Sequence, residues 1–432
     1  MHNTVRRPFL CLVSLILPLL AACGDGAQVT SMQVFTGARL IDGTGAPPIE
    51  NAVVIVDGGQ IVAVGEAGTV ELPRGIETVD LRGRTLIPGL INSHGHVGDV
   101  RGLEAGQYSR ENVLDQLALS ARYGITTVVS LGDDREEGVV IRDEQAAGQS
   151  LDRARLFVAG PVLNPATPED AARLVAEDLA MNVDWVKIRI DDAMGSARKM
   201  SPEIYEAVIT EAHRAGLPVA VHVITLEDAK RTVAAGADFV AHSVRDQPVD
   251  DELIALMRER RICLSPTLTR ELSTFIYGTR PAFFDDPFFL RDADPAVIAQ
   301  LENPDRQRRI RESASAKYWE ERMPIAMKNL TRLSDEGVRI AMGTDSGVAT
   351  RFQGYFEHLE LELMVDAGLT PMQALVAATG DAASCMGLDA SLGTIEPGKR
   401  ADFVVLTSNP LDDIMNTREI ESVWIEGKRI ER

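Results

Sequence analysis

His94 and His96 stand two apart at the end of an apolar run, Leu86-Ile87-Pro88-Gly89-Leu90-Ile91. A run of this kind before a polar cluster predicts a buried strand that ends at a site. Side chains two apart on a strand share a face. Both imidazoles can therefore meet one point, and that suits a metal ion. Gly95 between them lets the backbone bend and lets another group approach closely. Taken alone, the pair is a weak signal and reads more readily as two polar residues at a strand end. The rest of the chain shifts the balance. His222 ends VAVHV, His242 sits in FVAHSV, and Asp345 ends RIAMGTD, each at the close of an apolar run. Four histidines and an aspartate at strand ends are hard to explain as isolated core residues. His213 and His358 fall on helices and read as surface or packing residues.

Lys187 is the sixth element, in Trp185-Val186-Lys187-Ile188-Arg189-Ile190. Alternation sets Lys187 and Arg189 on the face opposite Val186 and Ile188. An ammonium inside a core is costly unless paired. Burial lowers its pKa, and the neutral amine is reactive. One outcome is a carbamate formed with CO₂, whose two oxygens could bridge two metals. The plainer outcome is an ammonium at the strand end, paired with Asp191.

These side chains need a regular frame to meet. Residues 31–85 read as short strands and turns, with Asp57-Gly58-Gly59 as a hairpin signal. From residue 86 strands and helices alternate. Strands are expected at 86–92, 125–131, 155–160, 185–190, 218–223, 238–244, 261–266 and 339–345. Ser201 as N-cap, Pro202 in the first turn and Gly216 as stop mark one helix clearly. Eight strands alternating with helices predict an α/β chain folded as a (β/α)₈ TIM barrel over 86–391. A doubly wound open sheet is the alternative, but the dinucleotide glycine fingerprint is missing. In a barrel the strand ends converge on one face. Residues 392–432 are β-like again, so both chain ends are expected to join in a small β-sandwich. The aromatic stretch 267–305 is expected either to pack on the barrel or to act as a lid.

The chain has 432 residues, 45% of them hydrophobic, and a formal charge of −20. That length suits one large domain with a smaller companion. The acidic balance argues against nucleic acid as a partner. Arg6 and Arg7, an apolar run from Phe9 to Leu20, and Leu20-Ala21-Ala22-Cys23 mark residues 1–22 as a secretory signal, with 23–30 as a tether. The cysteine at the cleavage point resembles the bacterial lipoprotein signal. That resemblance implies lipidation of Cys23. Gly24 rather than Asp after it implies an outer-membrane anchor facing the periplasm. No later stretch is long and apolar enough to span a bilayer. Cys263 and Cys385 remain, and both are expected as buried thiols rather than a disulfide.

PGLINSHGHV (88–97), the Lys187 strand, His222, His242, MGTDSG (342–347), Ala377-Ala378-Thr379 and GTIEPGKRADFVVL (393–406) together resemble the amidohydrolase superfamily. Within it they look like the imidazolonepropionase-like and prolidase-like group. The resemblance covers nearly everything after residue 31. It implies a metal-bearing barrel with a β-sandwich built from both chain ends. It implies His94, His96 and Asp345 on one metal, and His222 and His242 on a second. Carboxylated Lys187 would bridge the two in a binuclear metal centre. Such ligands suit zinc, with other divalent ions open. A metal-bound hydroxide would be the nucleophile, and Asp345 would carry the proton to the leaving group. The expected function is cleavage of a C–N amide bond in a small substrate, a dipeptide or an N-acyl amino acid. The same site could attack a lactone or other ester. An envelope binding lipoprotein with a degenerate site is the non-enzymatic alternative. The substrate-binding residues and the oligomeric state stay open.

Overall fold

The computed structural model describes residues 32–149, 152–192, 194–195 and 197–431. The expected signal peptide, the tether and Cys23 lie outside the described residues. Among those residues no helix is long and apolar enough to cross a membrane.

An eight-stranded sheet joins the two ends of the chain. Strands Gln33–Leu40, Ile49–Asp57, Gln60–Glu66, Thr78–Asp80 and Thr85–Pro88 come from the first part, and Phe403–Leu406, Ile420–Ile425 and Lys428–Arg429 from the last. Thr85–Pro88 is the seam. It runs parallel to Gln33–Leu40 and antiparallel to Phe403–Leu406, with Phe403 opposite Pro88. Behind it Phe35 meets Phe403 and Trp424, each at 5.0 Å between ring centroids and edge-on. The hairpin signal is realised: Asp57 pairs with Gln60 across Gly58 and Gly59. Both glycines have positive φ, 57° and 80°, which a two-residue hairpin loop requires.

The run expected as one strand over 86–92 is two strands in different sheets. Thr85–Pro88 belongs to the mixed sheet, and Leu90–Gly95 opens a parallel one. Gly89 is the break. A Cβ there would lie 2.1 Å from Thr126 Oγ1, so only glycine lets the chain pass. A continuous apolar run carries no mark of this change of sheet, because both strands are buried.

Leu90–Gly95, Ile125–Ser130 and Arg155–Val158 form a parallel three-stranded sheet. Val162–Leu163, Val186–Arg189, Val219–His222, Phe239–Ala241 and Cys263–Ser265 form a parallel five-stranded one. Helices such as Arg110–Arg122, Pro202–Arg214 and Leu226–Ala235 lie between successive strands. The expected strand 339–345 appears as bridges rather than a ladder. Leu264 bridges Ile340, and Gly95 bridges Ser346. The Ala341 amide donates to Leu264 O at 2.9 Å, and the Ser93 amide to Met342 O at 2.9 Å. This segment thus stitches the last strand of the larger parallel sheet to the first of the smaller. On the other side, the Asp184 amide donates to Val158 O at 2.8 Å.

The helix after Ser201 runs Pro202–Arg214 and stops before Gly216, whose φ is 79°. Ser201 sits at the N-cap, but its side chain makes no capping bond. The stretch 267–305 is built of short helices. Its Tyr277, Phe283, Phe284 and Phe289 are buried, with Phe283 5.2 Å from Tyr355 and Phe289 4.9 Å from Phe352.

Cys263 and Cys385 form a disulfide, not two thiols. Cys263 lies on the strand Cys263–Ser265 and Cys385 ends the helix Gly380–Cys385. The pair is 122 residues apart in sequence but 6.0 Å apart between Cα atoms, within disulfide reach. Nothing local to either cysteine carries that proximity.

Candidate metal centre

The strand ends bring His94, His96 and Asp345 together. One ligand atom from each lies within 4.8 Å of the others. His96 Nε2 is 2.8 Å from Asp345 Oδ1, and His94 Nε2 is 3.9 Å from the same oxygen. His96 Nδ1 donates to Gly132 O at 3.1 Å, which fixes the ring and points Nε2 inward. Gly343 allows this closeness. A Cβ there would lie 2.3 Å from Ser265 Oγ and 2.7 Å from His94 Cβ. Asp345 and His242 have positive φ, 56° and 82°. Such backbone is uncommon for residues other than glycine and gathers at functional sites.

Lys187 is buried beside this triad, with Nζ 3.1 Å from His94 Nε2. Asp191 is not its partner. The Asp191 carboxylate instead accepts from His222 Nε2 at 2.5 Å and Arg189 Nε at 2.7 Å. Burial pushes the Lys187 amine down to about 8, against the pull of Asp345. The His242 ring lies 4.7 Å from the His94 ring and 4.2 Å from that of His222, centroid to centroid. His242 Nδ1 meets Thr267 Oγ1 at 2.7 Å, which leaves Nε2 free to face the cluster. All six side chains predicted at strand ends therefore share one neighbourhood. His94, His96 and Asp345 converge most tightly, whereas His222 is turned onto Asp191.

Electrostatics favours neutral imidazoles and an ionised carboxylate. Burial holds His94 and His242 well below the usual histidine range, with Lys187 adding to the effect on His94 and His222 to that on His242. Burial likewise pushes His222 down to about 3, against the pull of Asp191. His96 differs. Burial lowers it, but the Asp345 carboxylate outweighs burial and raises it. Burial alone would raise Asp345, yet Arg351 and His96 hold its carboxyl well below the usual range. A divalent cation fits these donors. Unprotonated imidazoles and a carboxylate are its ligands, and His94 Nε2, His96 Nε2 and Asp345 Oδ1 all face one point.

Several supporting residues escape sequence reading. Arg351 Nη1 donates to Asp345 Oδ2 at 2.5 Å, leaving Oδ1 to the histidines. Glu357 is buried beneath the site and accepts from Asn92 Nδ2 at 2.6 Å and Ser346 Oγ at 2.6 Å. Glu360 accepts from the Leu268 and Thr269 amides at 2.7 Å each. Arg351 also lines a cavity of about 340 Å³ with Tyr123, Phe289, Phe352 and Gln353. A second cavity, about 240 Å³, lies on the His222 side and is lined by Asp191, Ile224, Tyr318 and Trp319. His213 is a surface residue paired with Asp238, and His358 packs between Thr417 and Tyr123 O.

The family model for the amidohydrolase family matches residues 85–430, and the chain belongs to that family. Ochratoxinase from Aspergillus niger is 24% identical over 95% of this chain and 88% of its own. Among solved structures, a putative prolidase from Bifidobacterium longum aligns with a TM-score of 0.75 and 28% identity, covering 93% of this chain and 95% of that one. A Xaa-Pro dipeptidase with bound methionine in its active site aligns with a TM-score of 0.74 and 23% identity, covering 93% and 100%.

Proposed function

We propose that this chain is a metal-dependent hydrolase that cleaves a C–N amide bond in a dipeptide or an N-acyl amino acid. The observation that carries the reading is the convergence of His94, His96 and Asp345 within 4.8 Å, with Lys187 against His94. The prolidase and ochratoxinase names of its relatives point to the same bond class. The parallel strands and the segment 339–346 are read as one closed barrel, and the mixed sheet from both chain ends as the β-sandwich.

In this reading His94, His96 and Asp345 would hold one divalent ion, zinc by ligand type. His242 and His222 would hold a second once His222 turned away from Asp191. The neutral Lys187 amine would add to the carbon of CO₂; the N–C bond forms as one C=O π bond opens onto oxygen, one proton leaves the nitrogen, and the carbamate would supply two anionic oxygens to the ions. Ions held there would lower the pKa of a bound water and polarise the substrate carbonyl. Asp345 is kept ionised by Arg351. In this reading it would take the proton from the attacking water and pass it to the leaving nitrogen. Gly132 and Thr267 orient His96 and His242.

The test is reconstitution with zinc followed by turnover on a panel of dipeptides, N-acyl amino acids and lactones. Amide turnover that chelation abolishes is expected. Turnover confined to lactones would replace the amide reading with an esterase, and bound metal with no turnover would favour a binding protein. The chain is further proposed to be held at the outer membrane by lipid on Cys23. Cys23→Ser should release it into the periplasmic fraction of a diderm host; unaltered membrane association would end that idea.

A further inference from the structure

We propose that Arg270 selects substrates that end in a free carboxylate, its guanidinium gripping that group beside the metal centre. The inference rests on the hydrolase reading above and adds the residue that recognises the substrate's anionic end.

Arg270 lies on the helix Leu268–Ser273, three residues past Thr267, whose hydroxyl meets His242. The start of that helix is clamped by Glu360, so Arg270 projects from a fixed base. Its guanidinium sits over the Trp319 ring, 4.5 Å from the centroid. An aromatic face under a guanidinium steadies the charge and leaves the donor edges available.

The charges around it do not balance. Glu271 is the one carboxylate in ion-pair contact with Arg270 among the described residues, at 2.8 Å. The other oxygen of Glu271 faces Arg245 Nε at 3.0 Å. One buried carboxylate thus serves two guanidiniums, Arg245 buried and Arg270 half-buried, and the cluster keeps one net positive charge. The other acids nearby are engaged. Asp345 holds Arg351 and His96, and Asp191 holds Arg189 and His222. Arg270 is nonetheless close enough to the site to pull His222 down and to feel Asp345. Burying an under-compensated charge is costly. A substrate carboxylate arriving between His222 and Asp345 would supply the missing anion, and a guanidinium fork matches it with two parallel bonds. The cavity of about 240 Å³ lined by Trp319, Tyr318, Ile224 and Asp191 shares with Arg270 the Trp319 ring under its guanidinium.

The experiment compares N-acetyl-L-amino acids with their C-terminal carboxamides, which differ only in the charge at that end. For wild-type enzyme, kcat/KM is expected to favour the carboxylate by about 10²-fold. In R270M that ratio should fall towards one, and R270K should keep part of it. Binding to metal-stripped protein, read by calorimetry, should show the same preference without turnover. If R270M fails to fold, the wild-type ratio and R270K decide. Equal handling of the two ends by wild type, in turnover or in binding, overturns the role of Arg270 while the hydrolase reading stands. A preference that survives intact in a folded R270M also overturns it. Loss of the hydrolase reading would look different: no turnover of either form by zinc-loaded wild type. The binding preference for the carboxylate then decides the role of Arg270 alone.

Discussion

Lys187 Nζ and His94 Nε2 face each other at 3.1 Å inside the protein, and both groups are buried. Two cations cannot share that space. The Lys187 amine, ordinarily at 10.5, is pushed down to about 8 by burial, and His94 falls well below its usual range through burial and Lys187. The metal-free chain therefore carries an electrostatic penalty whenever Lys187 is protonated.

That penalty has a pH signature. Between about 8 and 10.5 the unfolded chain holds a proton on Lys187 that the folded chain has shed. Stability of the parent therefore rises with pH through this window. Below it the whole penalty is present, on the order of 3 kcal/mol. Metal-stripped Lys187→Met should thus be the more stable protein near neutral pH, with an advantage that shrinks as pH rises through the window. Urea unfolding of both proteins across this range measures it. A difference that stays constant with pH would rule out Lys187 as its source.

The carbamate makes a separate prediction. Lys187→Ala should lose most of the second metal while His94, His96 and Asp345 retain the first. A short carboxylic acid added to that variant should partly restore turnover, because its two oxygens can stand in for the missing bridge. Elemental analysis and rates on the same preparations decide it. Full activity and two metals in Lys187→Ala would show that no bridging group is needed.

Much of the site was legible because a strand writes its faces into alternate residues. His94, His96, His222, His242 and Asp345 each close an apolar run, Lys187 lies within one, and all six fall in one neighbourhood. The hairpin at Gly58-Gly59 was legible for a similar local reason, since its loop needs two residues that accept positive φ. What was hidden depends on distance along the chain. Gly89 divides one apolar run between two sheets, which only the position of Thr126 explains. Arg351 and Arg270 lie on loops and short helices, where no periodicity says which way a side chain points. The expectation of free thiols at Cys263 and Cys385 failed for the same reason.

The disulfide ties a strand of the five-stranded sheet to the helix Gly380–Cys385. A closed loop of this length restricts the unfolded chain strongly, and removing such bonds commonly costs about 2–5 kcal/mol. Replacing both cysteines with alanine should lower the denaturant midpoint by a corresponding amount. The metal ligands are untouched, so metal content at saturating zinc should not change. Midpoints that coincide for the two proteins would mean the bond contributes nothing to folding stability.

Asp345 is assigned two roles that one variant can separate. As a ligand it offers Oδ1 to the same point as His94 and His96, while Arg351 holds Oδ2. As a base it would move a proton during turnover, and such transfers are commonly worth about 10²–10⁴-fold in rate. Asp345→Asn keeps the shape and one oxygen but cannot take that proton. The guanidinium of Arg351 would face a neutral amide, so a modest loss of stability is expected as well. The variant should fold and retain substantial zinc, yet lose kcat far more than it raises KM. Because Arg351 holds the wild-type carboxyl ionised below the usual carboxylate range, the wild-type acid limb from Asp345 should fall below that range too. Arg351→Met should move that limb upward, since removing the guanidinium lets burial raise the carboxyl. If Asp345 is only a ligand, activity of Asp345→Asn will follow metal occupancy. Recovery to near wild-type turnover in excess zinc would then remove it from the proton path.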